Sequence, residues 1–225
     1  MSRAEIFANI RRGLGREVPT DEQRQTVQNR LRAKADNIIP ARAQLPQPQQ
    51  VELFRTMATE AAAELIELDN IEQLPAACDN WLATQNLNEF ICASDPQLAG
   101  LDWTGIKATK EERVARVGDM AALTTSFAGI AETGTLMLYS RADSPTTLNF
   151  LPDNHLVVLH EKDILGVYEE AWKKLRSHCQ TDDGLLKMPR TINMITGPSR
   201  SADIEQTLLM GAHGPKRLVI FLVKH

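Results

Sequence analysis

Apolar residues recur at two kinds of spacing along the chain. After Ser2 and Glu5, the residues Ile6, Phe7, Ile10 and Leu14 fall on one helical stripe, ended by Gly13 and Gly15. Ser2 with Glu5 fits a capping box, in which each side chain satisfies a free N–H at the helix start. The stripe needs a partner, either on the same chain or on another subunit, which leaves a homo-oligomer open. Arg24 to Ala35 has helical character, whereas Pro40 to Gln50 is rich in Pro and Gln and reads as an extended linker. Residues 1–50 are therefore expected as a helical arm with a polar linker, and residues 51–225 as the body.

Within the body the spacing alternates. Phe54, Met57, Ala61 and Leu65 repeat at helical steps, which predicts a helix over Val51 to Glu64, followed by a short strand at Leu65 to Leu68. Ile71 to Leu82 predicts a second helix and Glu89 to Ala93 a second strand. Glu111 to Ala122 is expected as a helix, Thr135 to Tyr139 as a buried strand, and Leu156 to Leu159 as a strand entered through His155. Asp163 is expected to cap a helix over Ile164 to Ser177. Strands at Thr191 to Ile195 and Leu218 to Val223 enclose a glycine- and serine-rich turn and an expected helix capped by Ser199 or Ser201 and running to Met210. Asp203 and Glu205 in its first turn suit the helix dipole. The alternation predicts an α/β fold, Rossmann-like, with a parallel-rich sheet and flanking helices.

Composition changes this picture little. Hydrophobic residues make 43% and charged residues 24%, normal for a globular protein. No apolar run approaches the roughly 20 residues that cross a membrane, and the N-terminus lacks a signal-peptide core, so a cytoplasmic protein is expected. Charge is more informative. The first 50 residues carry net +4 and the remainder −8. The arm mixes its signs and has one aromatic, Phe7, so no nucleic-acid role is expected. Cys78, Cys92 and Cys179 are scattered without a C-x-x-C, and the five histidines show no metal-binding spacing, so no metal site is expected.

Two turns carry candidate chemistry. Gly129 to Ser140, GIAETGTLMLYS, places Gly129, Glu132, Thr133, Gly134 and Thr135 at the entry of a strand. Glycine admits close backbone approach, and threonine hydroxyls offer hydrogen bonds, so a pocket holding the Glu132 carboxylate is one reading. A surface hairpin with a solvated Glu is the other. The second turn is Gly197, Pro198, Ser199, Arg200 and Ser201, placed between a strand's carboxyl end and the expected helix N-terminus. Such a position favours a small anionic ligand, with Arg200 as its counter-ion. Plain capping, with Arg200 on Asp203 or Glu132, is the alternative. His213, between Gly211 and Gly214, is either a general acid–base or the close of a helix C-terminus. Neither nucleotide-binding glycine fingerprint occurs.

With GIAETGTLML and ITGPSRSADIEQTLLMGAHGP both in view, the chain from Val51 onward resembles the LUD-domain family of lactate-utilisation proteins. The resemblance implies a fold similar to that of sugar-phosphate isomerases, CoA-transferases and formyltetrahydrofolate cyclo-ligases. It implies a part in oxidising L-lactate to pyruvate within a three-protein set whose other members carry iron–sulfur clusters. No cofactor is then expected in this chain, and three scattered thiols cannot supply a cluster's four ligands. Two roles follow: an accessory subunit that binds a small anionic ligand and partner proteins, or an enzyme in its own right. Glu132-Thr133-Gly134 is similar to the Glu-x-Gly turn that presents the nucleophilic carboxylate in CoA-transferases, with Thr133 where Asn is typical. That similarity makes Glu132 the candidate catalytic residue.

Overall fold

A computed structural model describes residues 2–32, 39–181, 185–204, 207–211 and 213–224. The chain divides into two units, residues 1–38 and 39–225. The first holds α1 (Arg3–Gly13) and α2 (Asp21–Arg32). Residues 33–35 of the expected second helix lie outside the described residues. The capping box forms as read: Ser2 N donates to Glu5 Oε2 at 2.6 Å and Glu5 N to Ser2 Oγ at 3.2 Å. Ile6, Phe7, Ile10 and Leu14 are 44–62% exposed, so α2 does not cover the stripe on α1 within this unit.

The second unit begins earlier than the polar composition implies. The stretch expected as an extended linker carries a 3-10 turn at Ala41–Ala43, with Ala43 buried, and the first residues of α3 (Gln47–Glu60). Pro48 sits in the first turn of α3, where its missing N–H costs nothing. Then follow β1 (Glu64–Leu68), α4 (Leu74–Thr84), β2 (Glu89–Cys92), α5 (Pro96–Ala99), β3 (Thr109–Glu112), β4 (Ala121–Thr125), β5 (Ala128–Ile130) and β6 (Thr135–Tyr139). The chain continues through β7 (Asn154–His160), β8 (Ile164–Leu165), α6 (Tyr168–His178), β9 (Ile192–Ile195), β10 (Arg200–Ile204), β11 (Thr207–Met210) and β12 (Arg217–Val223).

Six strands form one parallel sheet in the order β1-β12-β7-β4-β2-β3, as the α/β alternation requires. Alternation along each strand sorts its two faces. Leu156, Val158, Val219 and Phe221 pack against Leu74, Trp81 and Leu82 of α4. Val157, Leu159, Ile220 and Leu222 face the other way, onto Val51, Phe54 and Ala58 of α3 and Leu136 and Leu138 of β6. Those last residues belong to a second sheet, β8-β5-β6-β9, whose far side, Ile130 and Met137, is covered by Ala171 and Leu175 of α6.

Three expected helices resolve differently. The helix expected over Glu111 to Ala122 is instead the end of β3, a loop and the start of β4. Arg113 grips Asp119 through both terminal nitrogens, at 2.8 and 2.7 Å, and this clamp holds the loop where helical spacing suggested a helix. Those contacts hold the Asp119 carboxyl below the usual carboxylate range. The helix expected from Ile164 starts at Tyr168, because Ile164 and Leu165 pair with β5. Asp163 does not cap it; its carboxylate takes the Lys174 ammonium at 2.6 Å, and Glu170 reaches back to the Gly166 N–H at 2.8 Å.

The third correction matters most for function. The segment expected as a helix from Ser199 or Ser201 to Met210 is an antiparallel hairpin, β10 with β11, pairing Arg200 with Met210 and Ile204 with Thr207. Glu205, expected in that helix's first turn, lies outside the described residues. The ends explain the outcome. Gly211 N donates to Ser199 O at 2.9 Å, which ties together residues that a helix would hold roughly 18 Å apart.

Candidate functional site

The two glycine-bearing turns meet. β6 runs antiparallel to β9, with Leu136 opposite Ile195, so Thr135 and Thr196 become neighbours just beyond the ladder. Their hydroxyls are 2.6 Å apart. Thr135 also lies 2.7 Å from the Thr133 hydroxyl and 3.0 Å from the Tyr168 hydroxyl, and Thr133 lies 3.1 Å from Tyr168. Four hydroxyls thus form one cluster, which begins at Thr133, the residue after Glu132.

Glu132 itself is buried, with 6% of its surface exposed. Its N–H is used by Gly166 O at 3.1 Å. Among the described residues its carboxylate has no hydrogen bond or ion pair. Its oxygens are not among the fully buried polar atoms, so the carboxylate of this otherwise covered residue still reaches the surface at the β5–β6 turn.

The glycines of these turns serve packing first. A Cβ on Gly134, whose φ is +64°, would meet the Ala58 backbone N at 2.3 Å. One on Gly197, at φ +67°, would meet Ala61 O at 2.0 Å. Both turns thus press on the C-terminal end of α3, and only residues without a side chain fit there. Gly129 packs in the same core, against Leu159, Phe54 and Ile164. Arg200 is exposed and donates to Ala61 O, a cation on a helix C-terminus. The helix N-terminus expected to hold an anion beside Arg200 is absent, since Arg200 and Ser201 begin a strand.

Next to the hydroxyl cluster lies a cavity of about 230 Å³. Gly197, Ser199 and His213 line it, as does Thr196, which links it to the cluster. Gly129, Glu132, Thr133, Gly134, Thr135 and Arg200 do not line it, and the side chain of Ser201 lies outside what is described. Ser199 is held on three sides: its N–H donates to Pro215 O at 2.8 Å, its carbonyl accepts from Gly211, and its hydroxyl accepts from the His213 N–H at 3.3 Å. His213 is exposed at the rim.

Two lining residues escaped the sequence reading as site residues, His155 and Asn149. His155 is wholly buried at the start of β7, and Asn149 is 3% exposed on the 3-10 turn Thr146–Asn149. His155 Nε2 lies 2.8 Å from Thr124 Oγ1, while its Nδ1 and the Asn149 Oδ1 are buried with no hydrogen-bond partner. Burial pushes the His155 imidazole down to about 3, so it is neutral at physiological pH. A signal was present: His155 shares strand parity with Val157 and Leu159, which puts an imidazole on an inner face. Elsewhere, burial raises the Cys78 thiol and lifts Cys92 to about 11. No metal-binding group of His, Cys, Asp and Glu occurs among the described residues.

The model of the LUD domain matches residues 51–223. The chain belongs to the LUD-domain family. Lactate utilization protein C of Macrococcus caseolyticus is 26% identical over 99% of this chain and 96% of its own length. The uncharacterized protein YkgG of Escherichia coli is 24% identical over 99% of this chain and 98% of its own. A DUF162 family protein of Deinococcus radiodurans superimposes with a TM-score of 0.58, covering 80% of this chain and 99% of that one at 23% identity, which establishes a shared fold. This LUD-domain protein therefore carries the family's α/β architecture, as its two quoted motifs imply.

Proposed function

We propose that this LUD-domain protein is an accessory component of an iron–sulfur L-lactate-oxidising system in the cytoplasm. In this reading it binds a small ligand where the β5–β6 and β9–β10 turns meet, and it docks on the cluster-bearing partners. What supports it is Glu132, a residue 6% exposed whose carboxylate has no partner among the described residues, followed directly in the chain by Thr133, the first of four hydroxyls that lead through Thr196 to a cavity. A carboxylate accepts hydrogen bonds, so the ligand presents a donor to it. The relatives named lactate utilization protein C support the pathway, and the uncovered stripe on α1 supports docking.

The second reading is a stand-alone acyl- or CoA-transferase-like or cyclo-ligase-like enzyme in which Glu132 is the nucleophile. The burial of Glu132 in a Glu-Thr-Gly turn favours it. One experiment separates the two. A thermal-shift screen of the purified chain against lactate, pyruvate, acyl-CoA, folates and nucleotides reads binding, since a ligand at a hundredfold excess over Kd stabilises by about 2.7 kcal/mol. A shift that Glu132→Gln weakens without removing supports the accessory role. Turnover of an acyl donor that Glu132→Gln abolishes supports the enzyme. No shift with any compound, together with no partner co-purified from lactate-grown cells, overturns both.

A further inference from the structure

We propose that the cavity floored by His155 and Asn149 is a binding site for a compact, uncharged ring bearing an amide edge. It adjoins the Glu132 site but rests on different residues. The size sets the first limit: about 230 Å³ lies below the range of drug-sized pockets and holds a single ring. The walls set the second. Phe150, Met194, Ile195, Pro198, Pro215 and Leu218 are apolar, and among the described residues no Lys, Arg, Asp or Glu lines the space. A charged ligand would lose its hydration there without an opposing charge.

The polar groups set the third limit. Ser199 has its N–H and carbonyl committed and its hydroxyl oxygen accepting from the His213 N–H, which leaves its O–H as one donor, and the Thr196 hydroxyl is turned to Thr135. The floor adds the rest. Whichever tautomer His155 takes against Thr124, its Nδ1 is one unused donor or acceptor, and Asn149 adds an unused carbonyl oxygen. Both atoms are buried beneath the cavity surface, so engaging them requires Asn149 to swing on its short 3-10 turn. Because burial keeps His155 neutral, the floor reads hydrogen bonds and not charge. An amide edge supplies a donor and an acceptor side by side with no charge, and its ring fits apolar walls and the exposed Phe150 at the rim.

The test uses the full chain labelled with nitrogen-15 and titrated with benzamide, nicotinamide, benzoate and toluene. The readout is the His155 ring nitrogen and Asn149 side-chain amide resonances. Benzamide and nicotinamide should shift both resonances and bind at least about tenfold more tightly than benzoate or toluene, one hydrogen bond's worth. Asn149→Leu should weaken amide binding about tenfold. If that variant does not fold, Phe150→Ala at the exposed rim decides: unchanged amide affinity overturns the proposal. Benzoate or toluene binding as tightly as benzamide, or no amide moving either resonance, overturns it equally. None of these outcomes depends on Glu132 or on lactate oxidation, so this site and the proposed function stand or fall apart.

Discussion

Single residues at the joined turns show packing and chemistry competing for the same few positions. Gly134 and Gly197 have α3 backbone where a side chain would go, at positive φ. Gly134→Ala and Gly197→Ala should each destabilise the protein by roughly 2–4 kcal/mol in denaturant melts, whereas Gly13→Ala on the open face of α1 should be neutral or slightly stabilising. Ala62 closes α3 at φ +66° without glycine's freedom, and Ala62→Gly should stabilise by about 0.5–1 kcal/mol. Glu132→Gln keeps the shape of the side chain and breaks no side-chain bond among the described residues, so its melting temperature should hold. His155 contributes a pH dependence of the same sign as a salt-bridged carboxylate, though its cause is burial. Its folded value, about 3, lies below the ordinary 6.5, so the unfolded chain binds the extra proton. That contribution is intact above about pH 6.5 and is lost as pH falls toward 3, at up to about 1.4 kcal/mol per pH unit. A variant such as His155→Gln should show a flatter stability profile in that window.

At the scale of elements, legibility followed the strength of the local pattern. Leu156–Leu159 and Leu218–Val223 are unbroken apolar runs, and both are central strands of the parallel sheet. The capping box of α1 was legible because both partners lie within four residues. The misreadings share one cause: distant contacts overrode a local helical pattern. Arg113 on Asp119 pins a loop, pairing with β5 draws Ile164 and Leu165 into a strand, and Gly211 on Ser199 folds β10 and β11 back. The site was legible in part for the same reason. Its glycines, threonines and Glu132 are sequence-local, whereas His155, Asn149 and Tyr168 reach it only through the sheet. Breaking the clamp tests the element-level argument: Arg113→Ala should loosen the Val114–Met120 loop, read as faster amide exchange there with the central strands still protected.

For the whole molecule, the division between residues 1–38 and the remainder sets what can be removed. Deleting residues 1–38 should leave a cooperatively folded body, because Ala43 and α3 remain to cover β12 and β7. Deleting residues 1–50 should cost more, since it removes the buried Ala43 and the first turn of α3. No helix among the described residues is long and apolar enough to span a membrane. The +4 of residues 1–50 and the apolar stripe of α1 belong to docking in the proposed role, so the 1–38 deletion should lose partner proteins while keeping any ligand-induced thermal shift. The central claim is that the meeting turns around Glu132 serve L-lactate oxidation. It is tested most directly by L-lactate-dependent dye reduction in extracts of cells whose only copy carries Glu132→Gln. A fall of at least about tenfold, with the variant as abundant and as thermostable as the original, is the predicted result. An undiminished rate would contradict it.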